Sequence, residues 1–433
     1  MPVPVNNSRL KGFFRLSVEE RLQLIADIAN LSEQEISTLT PTGGLAVDDA
    51  SNMVENVIGV MSLPIGIATN FIIDGKHHII PYCIEESSVI AAASNMAKRC
   101  HTSGGFRTNN DDSLMIGQIQ LMEIADIEAA EGAILKEKQS LMDDCNNRKS
   151  TIISLGGGCK DIQVRRTGVD GMLIIHFIID CIDAMGANTV NTIVESIAPR
   201  VEAISGGRAN LRILSNLAIH RLARASATFT PEELSRDGTR EDGVEVISGI
   251  LEAYRFADID PFRATTHNKG TMNGISAVAV ACGQDWRAIE AACHSWVVHD
   301  QGRYGSLTEW KCDENGSLVG SIEVPLAVGV VGGVVKVHPT VQTNMKILGV
   351  DSAKDLAGIM ACAGLAQNLG ALRALSTSGI QSGHMRLHLR NMAITSGAAG
   401  DEIDAVSAMA EESGETITQS LMDSMLEKHR KSE

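Results

Sequence analysis

One stretch of the sequence joins a predicted buried strand to a turn of small and polar residues. Residues 172–180 form a nearly unbroken apolar run, which predicts a strand buried on both faces. The run ends in Asp180, and Asp183, Gly186 and Asn188 follow directly after it. Carboxylates, an amide and a glycine in one turn suit a place where the backbone approaches a ligand closely. An ordinary turn after a strand is the alternative explanation.

Length and composition limit the class of protein. A chain of 433 residues is too long for one compact domain and predicts about two or three. The formal net charge of −16 argues against nucleic acid as a partner, because neutralising phosphates requires clustered Lys and Arg side chains. We find no apolar window long enough to predict a membrane span, and no secretory signal. The nine cysteines lack C-x-x-C spacing and predict reduced thiols in a cytoplasmic protein.

The middle of the chain alternates between strand and helix patterns. The predicted elements are a strand at 115–124, a helix at 127–141, strands at 162–166 and 172–179, a helix at 191–203 and a strand at 211–214. This order is that of a split βαβ, or ferredoxin-like, sandwich. The dinucleotide fingerprint G-x-G-x-x-G is absent after a strand, so this unit is predicted to be a non-Rossmann domain.

We therefore predict an α/β (α+β) fold in three parts. Residues 1–107 and 221–376 form a large mixed domain, 108–220 form a small inserted domain, and 377–433 form a mobile, helical C-terminal flap. Within the large domain the patterns predict a helix at 48–58, a strand-like segment at 321–337 and one long helix at 353–375.

Several well-known catalytic motifs are missing from the chain. G-x-x-x-x-G-K-[ST], G-x-S-x-G and H-E-x-x-H do not occur, which argues against a P-loop nucleotide site, a serine hydrolase and a zinc protease. No metal site is predicted.

Two charged motifs could take part in chemistry. Glu85-Glu86 precedes a helix, where carboxylates commonly stabilise the first turn. Burial of one of them beside Ile84 and Val89 would instead suit a proton donor. Lys269 lies among small residues that predict a turn. A rigid ammonium there could stabilise a developing oxyanion, whereas an exposed loop lysine is the simpler explanation.

Two further residues have both a structural and a chemical interpretation. Asp285 precedes a predicted helix and could cap it, or could orient Lys269. His384 follows a Ser-Gly pair on a polar segment. It could be merely exposed, or it could act as a general acid on a mobile flap.

Taken together, these motifs resemble those of the class II 3-hydroxy-3-methylglutaryl-coenzyme A (HMG-CoA) reductases, the family form without a membrane anchor. The resemblance runs from Arg9 to the C-terminal region. It rests on five motifs: Glu55-Asn56-Val57-Ile58-Gly59, Glu85-Glu86-Ser87-Ser88, Asp183-Ala184-Met185-Gly186-Ala187-Asn188, Thr266-His267-Asn268-Lys269-Gly270 and Gly383-His384-Met385.

The resemblance implies a reaction and a role for each reactive residue. Two hydrides from NADH or NADPH would convert HMG-CoA to mevalonate and coenzyme A, or the reverse. Glu86 would be the catalytic acid, and Lys269 would stabilise the reacting oxygen. Asp285 would tune that pair, and His384 would protonate the departing thiolate.

The resemblance also implies binding residues and an assembly. Residues expected to bind the cofactor are Asp183, Met185, Gly186, Ala187, Asn188 and Asn216, and those expected to bind the substrate are Arg15, Ser88, Arg263 and Asn273. A homodimer or a larger assembly of dimers would form through 55–59, with active sites between subunits. A non-catalytic CoA-binding dimer and another CoA-thioester reductase remain alternatives, although the presence of all four reactive residues favours an enzyme.

This sequence departs from the family pattern at Ser87, where many members have proline, and at Gln284, where asparagine is usual.

The choice of cofactor stays open. Members that prefer NADH can have an acidic residue before the glycine-rich segment, whereas here Arg148-Lys149-Ser150 aligns with a gap of one residue. Basic side chains can bind the 2′-phosphate of NADPH.

The two basic residues provide a test of cofactor choice. Replacing Arg148 and Lys149 together with alanine should raise the KM for NADPH more than the KM for NADH, because only NADPH has the 2′-phosphate. Steady-state kinetics with each cofactor measures this. An equal change in both KM values would exclude these residues from cofactor selection.

Overall fold

The computed structural model describes residues 5–40, 43–148, 150–377 and 389–432. The strands of these residues are β1 (Ile65–Ile73), β2 (Lys76–Cys83), β3 (Arg107–Asn110), β4 (Leu114–Met122), β5 (Gly158–Arg166), β6 (Leu173–Asp180), β7 (Arg208–Ser215), β8 (Leu222–Phe229), β9 (Thr308–Cys312) and β10 (Leu318–Pro325). They form one hairpin and two four-stranded sheets, so the prediction of a mixed α/β fold is confirmed.

Helices surround these sheets. The first half of the chain contains a 3₁₀ turn (Phe13–Arg15) and helices α1 (Val18–Ala29), α2 (Glu33–Ser37), α3 (Val47–Met53), α4 (Val89–Arg99), α5 (Ile127–Lys136), α6 (Lys138–Asn146), α7 (Thr151–Ser154) and α8 (Ala187–Ser205). The second half contains α9 (Pro231–Leu234), α10 (Arg240–Ile259), α11 (Pro261–Ala281), α12 (Trp286–Gln301), α13 (Gly333–Val337), α14 (Pro339–Leu348), α15 (Ala353–Ser376), α16 (389–395), α17 (Glu402–Glu412) and α18 (Gln419–Ser432).

The larger core lies between the sheet β3-β8-β10-β9 and the helices α4, α10, α11 and α15. Ser352 precedes helix α15, and its hydroxyl accepts a hydrogen bond from the amide of Asp355. Nearly all of its side chains up to Leu372 are buried, as expected for a helix that is apolar on all sides. The single long helix predicted for 353–375 is confirmed.

The second sheet has the strand order β5-β6-β4-β7, and all its pairs are antiparallel. Helices α5 and α8 pack on it around Ile119, Phe177 and Val194. The predicted alternation of strands and helices is confirmed, and the strand order is that of the ferredoxin-like sandwich. The predicted helix at 127–141 is instead two helices, because the chain leaves helical geometry at Glu137.

Helices α16, α17 and α18 have a small core of their own, which includes Leu389, Val406, Ala410 and Met422. His384 and the rest of 378–388 lie outside the described residues.

Three further local predictions were wrong. The helix predicted at 48–58 corresponds to α3, which ends at Met53. The segment 321–337 is a strand only to Pro325, after which a loop leads to the short helix α13. Lys269 lies in the middle of α11 rather than in a turn. Tertiary packing against α15 outweighs the low helix propensity of the surrounding Gly, Asn and Thr residues.

Candidate active site

Helix α11 and the segment before α4 bring three polar side chains together. Lys269 Nζ donates a hydrogen bond to Glu86 Oε2 at 2.5 Å, and Asn273 Nδ2 donates to the same oxygen at 3.2 Å. Lys269 and Asn273 share one face of α11 because they are four residues apart. We call Glu86, Lys269 and Asn273 the Lys269 cluster. A cation and a carboxylate on one open helix face can together stabilise and protonate a carbonyl oxygen.

The Lys269 cluster is open to solvent in the single chain. The side chains of Lys269 and Glu86 are 59% and 39% exposed. The burial that would suit Glu86 as a proton donor is therefore not present in one isolated chain, and its catalytic role stays a prediction. Helix α4 begins only at Val89, so the carboxylate lies in the turn before the helix.

Two predicted substrate residues lie on the same elements as this cluster. Ser88 precedes α4 with a φ of 69°, a left-handed conformation that is uncommon outside glycine and costs free energy. Arg263 lies in the first turn of α11, and partial burial lowers its pKa. Its guanidinium has no hydrogen bond or ion pair with any other described residue, so it is available to an anionic group of a ligand.

The predicted cofactor residues lie where strands β6 and β7 end, on the same side of the β5-β6-β4-β7 sheet. Strand β6 ends at Asp180 beside Gly158, and β7 ends at Ser215 opposite Ile116. Asn216 and the turn 183–188 therefore follow strand ends that lie at the same end of the sheet. We call the turn 183–188 the cofactor loop.

The cofactor loop leads directly into α8. Gly186 precedes the helix at a φ of 100°, and a Cβ atom there would lie 2.2 Å from Cys181 Sγ, so only glycine fits. Ala187 and Asn188 form the first turn, and no side chain caps it among the described residues. Free amides at the start of a 19-residue helix suit the pyrophosphate of a dinucleotide. Ile182 just before the loop has a φ of 54°, an outlier for a β-branched residue.

Two side chains tie the cofactor loop to the large sheet and to α15. Asp183 Oδ1 accepts from the Ala353 amide at 2.9 Å, which satisfies the start of α15. Arg221 is 4% exposed and donates to the carbonyls of Ala184, Met185 and Val328. Burial lowers the pKa of Arg221 to about 10, so it remains charged at neutral pH. The sequence analysis missed Arg221, because a single arginine before an apolar strand has no distinctive pattern.

Asp285 does not meet Lys269 within one chain. Its carboxylate caps the Ala288 amide at 3.1 Å and pairs with Arg287 at 3.3 Å, so Asp285 does cap the helix, and its role beside Lys269 stays a prediction. Helix α11 ends at Ala281, about 18 Å along the helix axis from Lys269, and Asp285 follows that end. The adjacent Gln284 exchanges two hydrogen bonds with Gly329, whose neighbour Val330 donates to the Asp183 carbonyl. Asp285 thus lies at the end of α11 that is linked to the cofactor loop.

Two candidates, Arg15 and His384, remain. Arg15 is exposed at the end of the 3₁₀ turn and stacks on Phe14, with 5.3 Å from its guanidinium carbon to the ring centre. The role of His384 remains a prediction. Among the described ranges, no group of three or more His, Cys, Asp or Glu side chains could hold a metal ion. Of the helices that the structure describes, none is long and apolar enough to cross a membrane.

Comparison with known proteins gives the family. The model of the hydroxymethylglutaryl-coenzyme A reductase family matches residues 17–389. A curated 3-hydroxy-3-methylglutaryl-coenzyme A reductase of Archaeoglobus fulgidus is 52% identical over 92% of this chain and 90% of its own length. A probable reductase of Borreliella burgdorferi is 34% identical over 88% and 86%.

Solved structures agree with this similarity. A Streptococcus pneumoniae HMG-CoA reductase has a TM-score of 0.82 and 37% identity, over 96% of this chain and 99% of that one. A class II reductase of the same organism, solved bound to NADPH in open conformations, has a TM-score of 0.81 over 85% and 99%. The fold and these matches define an oxidoreductase. The chain belongs to the hydroxymethylglutaryl-coenzyme A reductase family, and the resemblance inferred from its motifs is confirmed.

Arg221 provides a test of how the cofactor loop is held. Arg221→Met removes the donors to three carbonyls, so it should lower the free energy of unfolding by about 3 kcal/mol and weaken NAD(P)H binding about 10-fold or more. Urea unfolding and calorimetric titration with each cofactor measure the two effects. Arg255→Met, the same change at an exposed residue of α10, is the control. Unchanged cofactor affinity in Arg221→Met would contradict this role.

Proposed function

We propose that this protein interconverts HMG-CoA and mevalonate with free coenzyme A, using two equivalents of NADH or NADPH. The observation that supports this most is the contact between Lys269 and Glu86, which joins residues 183 positions apart in the sequence. An ammonium group that binds the same carboxylate as an amide is suited to stabilise the negative charge on a reacting carbonyl oxygen. The substrate carboxylate would pair with Arg263, while Ser88 and Asn273 would bind neighbouring polar groups and Arg15 the coenzyme A portion.

Each residue of the Lys269 cluster then has a distinct task. The nicotinamide, when bound, supplies the hydride in both reductions. Lys269 stabilises the negative charge that develops on the carbonyl oxygen, and Glu86 supplies the proton that this oxygen takes up. Asn273 orients the Glu86 carboxyl group. Cleavage of the C–S bond releases a thiolate, and His384 provides its proton. A thiol pKa near 8.5 makes this protonation useful, because it stops the thiolate from attacking the aldehyde again.

We further propose that the active site is shared between two subunits of a homodimer. Within one chain Asp285 follows the end of α11, which lies about 18 Å along the helix axis from Lys269. The cofactor loop is linked to the adjacent Gln284 through Gly329 and Val330. The segment that contains the 55–59 motif exposes apolar side chains, with Ile58 fully exposed and Met61 at 83%. Exposed apolar surface of this extent is typical of an interface. A second copy on that segment would bring its own cofactor loop and Asp285 to the Lys269 cluster.

The inserted unit 108–220 is proposed as the cofactor domain, the large unit as the substrate and dimerisation domain, and 377–433 as a flap that carries His384. A cytoplasmic location is proposed because all nine cysteines, which lie within the described residues, are free thiols.

A parallel assay tests the reaction. The purified protein is mixed with HMG-CoA and either NADH or NADPH, and the loss of nicotinamide absorbance is followed. Oxidation should require HMG-CoA. Lys269→Ala should lower the rate roughly 10²-fold or more, because it removes the cation that stabilises the oxyanion. CoA binding should change little. No HMG-CoA-dependent oxidation with either cofactor would overturn the proposal, and a near-normal rate in Lys269→Ala would overturn the role of Lys269.

Mixing inactive variants tests the shared site. Lys269→Ala and Asp285→Ala are each expected to be inactive alone. When the two are co-expressed, a mixed dimer has one intact site, so random pairing should restore about a quarter of wild-type activity. Co-expression of Lys269→Ala with Glu86→Gln is the control, since those two residues meet within one chain and no mixed site is intact. Absence of any restored activity in the first mixture would place Asp285 outside a shared site.

A further inference from the structure

Gln284, one of the two places where the sequence departs from the family pattern, lies buried between the end of α11 and the loop after β10. Its side-chain Nε2 donates hydrogen bonds to the carbonyls of Cys282 at 2.8 Å and Gly329 at 2.9 Å. Its Oε1 accepts from the Gly329 amide at 2.8 Å. Because Gln284 is only 9% exposed, its side-chain amide bonds to the backbone rather than to water.

The backbone of Gln284 is fixed as well, because α11 ends in a Schellman motif. Gly283 has a φ of 63°, and its amide donates to the Val280 carbonyl at 3.1 Å. The Gln284 amide donates to the Ala279 carbonyl at 2.8 Å, which completes the motif. Asp285 follows at once and caps α12. The side chain of Gln284 therefore extends from a well-held junction between two helices.

Gly329, which Gln284 holds from one side, lies directly against the cofactor loop on the other. A Cβ atom at Gly329 would be 2.5 Å from the Met185 amide nitrogen and 3.1 Å from the Asp183 carbonyl oxygen, so a larger residue would push the two segments apart. The next residue, Val330, donates its amide to the Asp183 carbonyl at 2.9 Å. The backbone of 329–330 thus contacts the backbone of the cofactor loop with no side chain between them.

We propose that Gln284 is a positioning residue for the cofactor loop. Its side chain binds both the amide and the carbonyl of Gly329, and so holds the loop at a fixed place relative to the end of α11 and to Asp285. Arg221 binds the loop directly, whereas Gln284 acts on it through Gly329 and connects it to α11. This inference rests on the proposed role of the cofactor loop in binding NADH or NADPH.

Two variants test this role. Gln284→Met keeps the length of the side chain without its amide group, and Gln284→Asn keeps the amide on a side chain one methylene shorter. Either change should leave the buried amide and carbonyl of Gly329 without partners and loosen 329–330. We expect the KM for NADH and for NADPH to rise about 5-fold or more, with the KM for HMG-CoA within about 2-fold. A purely structural loss would lower the active fraction and leave every KM unchanged.

A second measurement does not depend on activity. Amide hydrogen exchange of the ligand-free protein is followed by mass spectrometry of a peptide that spans 326–331. Its Gly329 and Val330 amides should exchange about 10-fold faster or more in both variants, because the bonds that protect them are lost or weakened. A peptide from β6 should keep its rate, which separates local loosening from global unfolding.

The matched control is Gln301→Met. Gln301 also donates from its side chain to a backbone carbonyl, that of Ser306 at 3.2 Å, but it lies at the other end of α12. This variant should alter neither the exchange of 326–331 nor the KM for either cofactor.

The outcomes separate this proposal from the proposed reaction. Unchanged exchange of 326–331 in both variants overturns the role of Gln284, whether or not the wild-type protein reduces HMG-CoA. Faster exchange with unchanged affinity for NADH and NADPH, measured by calorimetric titration, overturns it too. Faster exchange together with weaker cofactor binding supports it. The same pair of results in a protein whose wild type shows no HMG-CoA-dependent oxidation would overturn the proposed reaction alone, and a wild type that binds neither cofactor would overturn both proposals.

Discussion

Helix α11 packs so closely on α15 that a Cβ atom at Gly274 would lie 2.5 Å from the Ala363 carbonyl oxygen. Buried hydrogen bonds fix the rotation of α11 in this contact. Asn368 of α15 bonds to His267 and Thr271 on the buried side of α11. Burial lowers the pKa of His267 to about 3, so its ring is neutral and can share these bonds without a buried charge. The opposite face, with Lys269, must therefore point outward.

The two parts of the candidate site are thus held in place by different contacts. Lys269 stands on a helix fixed by the core, whereas the cofactor loop is held by Arg221 and Asp183, which bridge the small sheet to the rest of the chain. Both halves contain a residue in a costly left-handed conformation, Ser88 before α4 and Ile182 before the cofactor loop. Such strain persists only where the surroundings over-determine the backbone, and it is common where a ligand must be approached closely.

Sequence patterns predicted the fold better than the site. The strands and helices of the small sheet follow from alternation of apolar residues, which is a local signal. The Glu86–Lys269 contact spans 183 positions, so only resemblance to a family could have suggested it. Lys269 was misplaced in a turn because glycine and asparagine signal turns locally, while packing decides the outcome.

Because the Lys269 cluster is exposed in a single chain, the assembled protein must exclude water from it. An ion pair in water contributes little, because solvent screens the charges, whereas the same ammonium in a site without water stabilises an oxyanion strongly. With side chains 59% and 39% exposed, Lys269 and Glu86 are not yet in such a site. The single chain supplies correct chemical groups but not the low dielectric that makes them effective. Whatever covers the open face of α11 must therefore contribute to the rate as directly as the charged residues, by excluding water from them.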